Sequence, residues 1–228
     1  MGVTRALTNR YRRTTPWSCD RNQAWRAARF AVVDIETTGL DLAHDEIVSV
    51  GVSVVDRGRV TDETVYRVVK PRCAISSSAM KVHALTDDEV AGAPGILEAL
   101  AELRAVAAGS VLVAHAAWVE RAFLNRALRS CGERVPDDLV DTAALARYAG
   151  LWPQGGDEPS LEVLSRALGL PVHTPHHALG DAVTTAQLLL VLATRIESEA
   201  KPLMAGDLLD ISRIWGLSAR SGRAWRLR

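Results

Sequence analysis

The seven residues Phe30-Ala31-Val32-Val33-Asp34-Ile35-Glu36 constrain this chain more than any others. The run is apolar, rich in β-branched residues, and stops at Thr37-Thr38-Gly39. Such a segment reads as a buried strand ended by a turn. Residues i and i+2 of a strand point to the same face, so Asp34 and Glu36 are neighbours. Two like charges held close and partly stripped of water require compensation. For an isolated Asp-x-Glu the ordinary reading is a strand end meeting solvent. Here Asp34 still lies inside the apolar run, and the turn lays backbone N–H groups beside the pair. A hard divalent cation suits this setting, since Mg²⁺ takes carboxylate oxygens.

The rest of the chain arranges itself around that strand. Glu46–Asp56 and Val60–Val69 read as two further strands joined by Arg57-Gly58, so the first three form an antiparallel meander. Helical periodicity begins at Ser76, with a longer helix over about 94–107 that ends at Gly109. Val111–Ala114 reads as a short buried strand, followed by helix through Arg129 and a brief strand near Leu139-Val140. Helices are expected near 142–149, 160–168 and 178–198. A meander followed by alternating strands and helices predicts an α/β fold, with a mixed sheet and helices on its faces.

With 228 residues there is room for one domain with short appendages. Apolar residues make up 48%, enough to bury a core, and no run approaches the roughly 18 uncharged apolar residues that span a bilayer. A membrane protein is not expected. The Arg-rich start lacks the apolar block of a secretion signal. Three widely spaced cysteines, Cys19, Cys73 and Cys131, fit a reducing, cytoplasmic setting and no zinc or disulfide framework. The formal charge is zero in sum but not in place: residues 1–29 carry +6, residues 201–228 carry +4, and the centre carries −10. The expected organisation is a basic N-terminal arm (1–28), a central domain (29–200) and a basic C-terminal tail (201–228).

Two further places carry chemistry. On the helix after Val111–His115, positions 120, 123, 124, 127, 128 and 131 fall on one stripe. Five are apolar; the first is Glu120. A first-turn acid ordinarily complements the helix dipole, worth about 0.3–1 kcal/mol, but a solvent-facing position would serve that purpose better. Later, Thr174-Pro175-His176-His177-Ala178-Leu179-Gly180-Asp181 precedes an amphipathic helix. Five positions apart on a helix would separate His176 from Asp181 onto different faces. His176 is therefore expected on the preceding loop, with Asp181 fixed in the first turn.

These segments carry a resemblance. Asp34-Ile35-Glu36-Thr37-Thr38-Gly39-Leu40 resembles the first motif of the DEDDh 3′–5′ exonucleases, whose members include the epsilon proofreading subunit of bacterial replicative polymerase and ribonuclease T. Val113-Ala114-His115-Ala116-Ala117-Trp118-Val119-Glu120, followed by Phe123-Leu124, is similar to the second motif, usually His-Asn-x-x-Phe-Asp. Here Ala116, Val119 and Glu120 replace Asn, Phe and Asp. His176-x-x-x-x-Asp181 is similar to the third motif and singles out His176 rather than His177. Val82-His83-Ala84-Leu85-Thr86 resembles a Val-His-Gly-Ile-Thr segment beside the terminal nucleotide, with Ala84 in place of Gly. Asp141-Thr142 also matches a family segment, where an N-cap is the ordinary reading.

The resemblance covers about residues 30–196 and implies a ribonuclease H-like fold, a five-stranded mixed sheet with helices on both faces. It implies that Asp34, Glu36, Glu120 and Asp181 hold two Mg²⁺ ions, for which Mn²⁺ substitutes, and that His176 is the general base. Thr37, Leu40 and His83 would contact the terminal nucleotide. The implied reaction is hydrolysis of single-stranded nucleic-acid 3′ ends to nucleoside 5′-monophosphates, with a DNA polymerase as a further partner. The longer Glu120 is either absorbed by dropping a water between acid and metal, or it misplaces the second cation. The latter, with the basic Trp-containing ends, motivates the competing reading of a weakly active or inactive end-binding or polymerase-docking module.

Overall fold

The computed structural model describes Trp17 and residues 20–153, 157–199 and 201–218. Five strands, β1 (Arg29–Thr37), β2 (Ile47–Asp56), β3 (Arg59–Val68), β4 (Val111–Ala114) and β5 (Val140–Asp141), form one sheet in the order β3-β2-β1-β4-β5. The β1–β2 and β2–β3 pairs are antiparallel, and the β1–β4 and β4–β5 pairs are parallel. This is the expected mixed sheet, with the predicted meander at one side.

Alternation along β1 builds both halves of the core. Ala31, Val33 and Ile35 face α3 (Ile96–Val106) and α4 (Trp118–Leu128), together with Leu100, Leu103, Phe123, Leu124 and Leu128. Phe30 and Val32 face the other way, among Leu188, Leu189 and Leu192 of α7 (Ala178–Ile196) and Leu145 of α5 (Thr142–Tyr148). By the same period, Asp34 and Glu36 lie on the α7 face. Helix α7, 19 residues long, is apolar enough to cross a bilayer by length and composition. In this fold those apolar residues cover the sheet.

Three short helices complete the central body: α1 (Ser77–His83), α2 (Asp87–Val90) and α6 (Leu161–Ala167). Each starts on a hydroxyl cap, from Ser76, Thr86 and Ser160 respectively.

Two differences from the sequence reading concern the ends of the chain. No element was expected after residue 200, yet Ala205–Ser218 forms helix α8, which buries Leu208, Leu209 and Ser212 against α5 and β5. Gly206 and Gly216 lower its intrinsic helix preference, and packing overrides them. The last residues of the N-terminal arm also dock. Trp25 is buried and donates its backbone N–H to the Leu203 carbonyl at 3.0 Å, while Ala205 N–H donates to the Gln23 carbonyl at 2.9 Å. The remainder of the expected arm (1–16, 18 and 19) and of the expected tail (219–228) lies outside the described residues.

Candidate active site

The strongest concentration of acid lies at the C-terminal end of β1. Oxygens of Asp34, Glu36 and Asp181 come within 4.8 Å of one another. A glycine makes this possible. Gly51 of β2 pairs with Asp34, and a Cβ there would sit 2.2 Å from the Ala178 backbone carbon. Only a residue without a side chain lets the first turn of α7 rest on the sheet, and that contact delivers Asp181 to the pair on β1. The β1–β2 register also shifts between Glu36 and Thr37, a bulge that ends the ladder beside the acids.

The loop before α7 is fixed as tightly. Asp181, 9% exposed, accepts the His176 backbone N–H on Oδ2 at 2.9 Å. His177 is the N-cap of α7: its Nδ1 accepts from Gly180 N–H at 3.4 Å, and its ring stacks on Tyr66 with centroids 4.2 Å apart. A Cβ on Gly180 would lie 2.2 Å from the His173 carbonyl oxygen. His176 itself takes a left-handed φ of 60°. Its ring is 53% exposed, with Nε2 3.6 Å from Glu162 Oε1 of α6. The structure thus places His176 on the loop and Asp181 in the first turn, as expected, and gives His177 a structural part.

Glu120 is placed differently from the other three acids. It is 5% exposed at the start of α4, and it stands outside the group whose oxygens converge within 4.8 Å. It reaches the site from the helix layer on the opposite face of the sheet, which is why it stands apart. Its charge is nevertheless felt at Asp34, and its Oε2 is buried without a hydrogen-bond partner. Glu120 also feels the charge of Asp141, whose Oδ1 accepts from Ala143 N–H at 3.0 Å and from Ala116 N–H at 3.1 Å. Asp141 therefore caps α5, its ordinary reading, and also braces the start of α4, whose own N-cap, Ala117, has no side-chain cap. His115 locks the same corner. Its Nε2 donates to the Pro159 carbonyl at 2.6 Å and its Nδ1 accepts from the Thr142 hydroxyl at 2.9 Å, an arrangement of the neutral ring that its burial favours.

The remaining predicted contacts sit around the mouth. Thr37 is buried, its hydroxyl donating to the Gly39 carbonyl at 2.6 Å, while Leu40 is 57% exposed on the turn. His83 donates from Nε2 to the Thr37 carbonyl at 3.2 Å and accepts Leu85 N–H on Nδ1 at 3.1 Å. Burial holds its pKa below the usual histidine value, and these bonds suit the neutral ring. Helix α1 is in this way pinned to the end of β1. The turn itself is tied to α4 by Arg126, whose guanidinium donates to the carbonyls of Leu42 (2.9 Å), His44 (3.4 Å) and Asp45.

The electrostatics of the cluster follow from these positions. Burial, then the charges of Glu120, Asp181 and Glu36, pushes the Asp34 carboxyl well above the usual carboxylate range. Burial and then Asp181 push Glu36 up to about 7. Burial likewise raises Asp181, and raises Glu120 well above its ordinary value, with Asp141 and Glu36 adding to it. Half-buried acids that repel one another, with an orphaned oxygen beside them, form a donor set suited to hard divalent cations. Asp34, Glu36 and Asp181 fit such ions directly, and Glu120 Oε2 is the acceptor that a cation would satisfy.

Sequence reasoning missed Gly51, Gly180, Tyr66 and the double role of Asp141. Only Asp141 left a signal, its match to a family segment.

The chain matches the model of the exonuclease family of the ribonuclease T type over residues 31–189. It is 33% identical over 188 residues to a DNA polymerase III subunit epsilon-like protein of Rhodobacter capsulatus, covering 81% of this chain and 26% of that protein. It is 31% identical over 166 residues to DNA polymerase III subunit epsilon of Treponema pallidum, covering 72% of this chain and 75% of that one. It thus spans about a quarter of the length of the first relative and three quarters of the second. Among solved structures, exonuclease X in complex with 5′ overhanging duplex DNA matches with a TM-score of 0.63 and 29% identity, over 80% of this chain and 99% of that one. Escherichia coli exonuclease I in complex with a dT13 oligonucleotide matches with a TM-score of 0.61 and 18% identity, over 74% of this chain and 41% of that one, a likeness of fold. With the five-stranded ribonuclease H-like fold and a family model that matches residues 31–189, the chain belongs to the DEDDh 3′–5′ exonuclease family.

Proposed function

We propose that this protein is a metal-dependent 3′–5′ exonuclease that removes nucleotides from single-stranded nucleic-acid ends as nucleoside 5′-monophosphates. The observation that carries this reading is the approach of Asp34, Glu36 and Asp181 oxygens to within 4.8 Å, with the orphaned Glu120 Oε2 beside them. These four side chains would hold Mg²⁺ or Mn²⁺. Such cations, when bound there, would supply acidification of the attacking water and neutralisation of charge on the leaving 3′ oxygen.

The chain's own groups supply the remainder. His176 accepts the proton of the attacking water at a ring nitrogen. Its backbone N–H is held by Asp181, which keeps the residue beside the acids, and its ring is 53% exposed. Leu40 and His83 flank the terminal nucleotide, His83 as a fixed neutral ring and Leu40 as an exposed apolar edge. Residues 29–200 form the catalytic body in this reading. The relatives named as polymerase subunits make a DNA polymerase the natural partner.

The test uses 5′-labelled single-stranded DNA and RNA with Mg²⁺, Mn²⁺ or EDTA. A ladder of shortened products is expected with either metal and none with EDTA, and His176→Ala should reduce the rate by at least about 100-fold. No shortening with either metal overturns the reading in favour of an end-binding or docking module.

A further inference from the structure

Among the described residues the His176 ring has one ion-pair partner, Glu162 of α6, whose Oε1 lies 3.6 Å from Nε2. The rest of the residue is fixed through the backbone of its loop. The His176 N–H donates to Asp181 Oδ2 at 2.9 Å, and the His177 N–H donates to the Thr174 carbonyl at 3.1 Å. Further back, the His173 N–H donates to Thr184 Oγ1 at 3.0 Å. Rotation about the side-chain bonds is the freedom that remains to the ring, and a carboxylate acceptor limits that freedom.

Glu162 is itself held where it can do this. Arg166, one turn further along α6, donates to Oε2 at 3.4 Å and leaves Oε1 to His176. Helix α6 buries Leu164 and Ser165 and is capped by the Ser160 hydroxyl. The segment leading into it is tied to the body of the protein. His115 Nε2 donates to the Pro159 carbonyl at 2.6 Å, and Arg147, its side chain 3% exposed, pairs with Glu158 at 3.1 Å. The two other histidines nearby have different tasks. His83 already uses Nε2 on the Thr37 carbonyl and Nδ1 on the Leu85 N–H. His177 caps α7 and stacks on Tyr66.

A pair as exposed as His176 and Glu162 adds little to stability. Its consequence for a proton acceptor is of another kind. A hydrogen bond at one imidazole nitrogen decides which nitrogen carries the hydrogen and how the ring is turned. With Nε2–H facing Glu162, the lone pair of the neutral ring lies on Nδ1. Because Nδ1 is bonded to Cγ, it stays near its own backbone, and that backbone is bonded to Asp181. A contact of 3.6 Å is long, as such contacts commonly are before substrate arrives.

We propose that Glu162 is a positioning residue for His176: it accepts Nε2–H and so presents Nδ1 as the nitrogen that takes a proton from the attacking water. One O–H bond of the water breaks and its proton goes to Nδ1, while the hydrogen on Nε2 stays in place beside Glu162. This rests on the exonuclease reading and adds to it the acceptor that orients the base.

A double-mutant cycle tests it, with Glu162→Ala, His176→Ala and the two combined acting on 5′-labelled dT12 in Mg²⁺. Glu162→Ala should lower kcat about tenfold, with KM and calorimetric Mn²⁺ affinity within about twofold of wild type. Added to His176→Ala it should cost nothing further, because it acts through that ring. Glu162→Gln, whose side-chain carbonyl still accepts Nε2–H, should recover most of the rate. Thermal melting checks that each variant is folded. A kcat for Glu162→Ala equal to or above wild type overturns the proposal, and so does a loss that follows weakened Mn²⁺ binding. A further loss in the double variant, or Glu162→Gln as slow as Glu162→Ala, does the same. The ring ¹⁵N spectrum of His176 above neutral pH reads the contact without turnover: wild type and Glu162→Ala should differ, and identical shifts overturn the contact. A wild-type protein that leaves dT12 intact with either metal overturns the exonuclease reading instead, and the ring spectra then decide whether Glu162 holds the ring.

Discussion

On the α7 side of the site, Asp34, Glu36 and Asp181 are held by backbone. The first turn of α7 rests on the bare Cα of Gly51, and the His176 N–H fixes Asp181 at 2.9 Å. On the α4 side, Glu120 projects from a helix whose N-cap offers no side chain, and its Oε2 has no partner. What steadies that side is one outside carboxylate, Asp141, which bonds the starts of both α4 and α5. Three of the four departures from the family pattern, Ala116, Val119 and Glu120, fall on the second side; the fourth, Ala84, ends α1. A site half made by close backbone contact tolerates little change. On the half made by side-chain reach, the extra methylene of Glu120 lengthens a side chain without moving an element.

Gly51→Ala should have the largest effect on this contrast. A methyl 2.2 Å from the Ala178 backbone must displace α7, and we expect a loss of about 3 kcal/mol in urea unfolding together with loss of Mn²⁺ binding. Asp141→Ala should be milder, costing about 2 kcal/mol for two helix starts that lose their acceptor, with nuclease rate falling while Mn²⁺ binding to the other three acids persists. Equal loss of metal binding in both variants would erase the distinction between the two sides.

The acids themselves make stability depend on pH. Glu36 is raised in the folded protein from its ordinary 4.5 to about 7. A raised acid contributes stability that is full below pH 4.5 and is lost as pH rises through about 7. In EDTA, Tm should therefore fall between pH 5 and pH 8, by about 5 °C. Mg²⁺ or Mn²⁺ should flatten that slope, because the ionised acids then gain a ligand. A metal-free Tm that rises over this interval would remove the repulsive cluster.

The smallest effects belong to two alanines. Ala84 and Ala116 stand where the family motifs carry Gly and Asn, yet both keep left-handed backbone, with φ of 61° and 55°. Ala84→Gly and Ala116→Gly should each relieve strain partly offset by unfolded-state entropy, a gain of about 0.5 kcal/mol read by denaturant midpoint.

Much of this was legible in the chain because it rests on side-chain periodicity. The alternation in Phe30–Glu36 put two acids on one face, and the apolar stripe through Leu128 gave away Glu120 as a buried acid. The spacing of His176 and Asp181 placed one on a loop and the other in a helix. Gly51 and Gly180 were illegible, since what matters is a missing Cβ and the backbone it would meet, distant Ala178 for Gly51 and the nearby His173 carbonyl for Gly180. Helix α8 was hidden by its two glycines and by a core face that exists only once α5 and β5 are in place. Asp141 looked like a common N-cap because its second partner, Ala116, lies 25 residues away.

Calorimetric titration of Mn²⁺ into the wild-type protein and Asp181→Asn tests most directly whether these acids form a metal centre. Near neutral pH, wild type should bind Mn²⁺ with release of protons, and removing one oxygen charge from the cluster should weaken binding at least tenfold. Wild-type protein that takes up no Mn²⁺, or a variant that binds it with unchanged affinity, would contradict a cation site built on Asp34, Glu36 and Asp181.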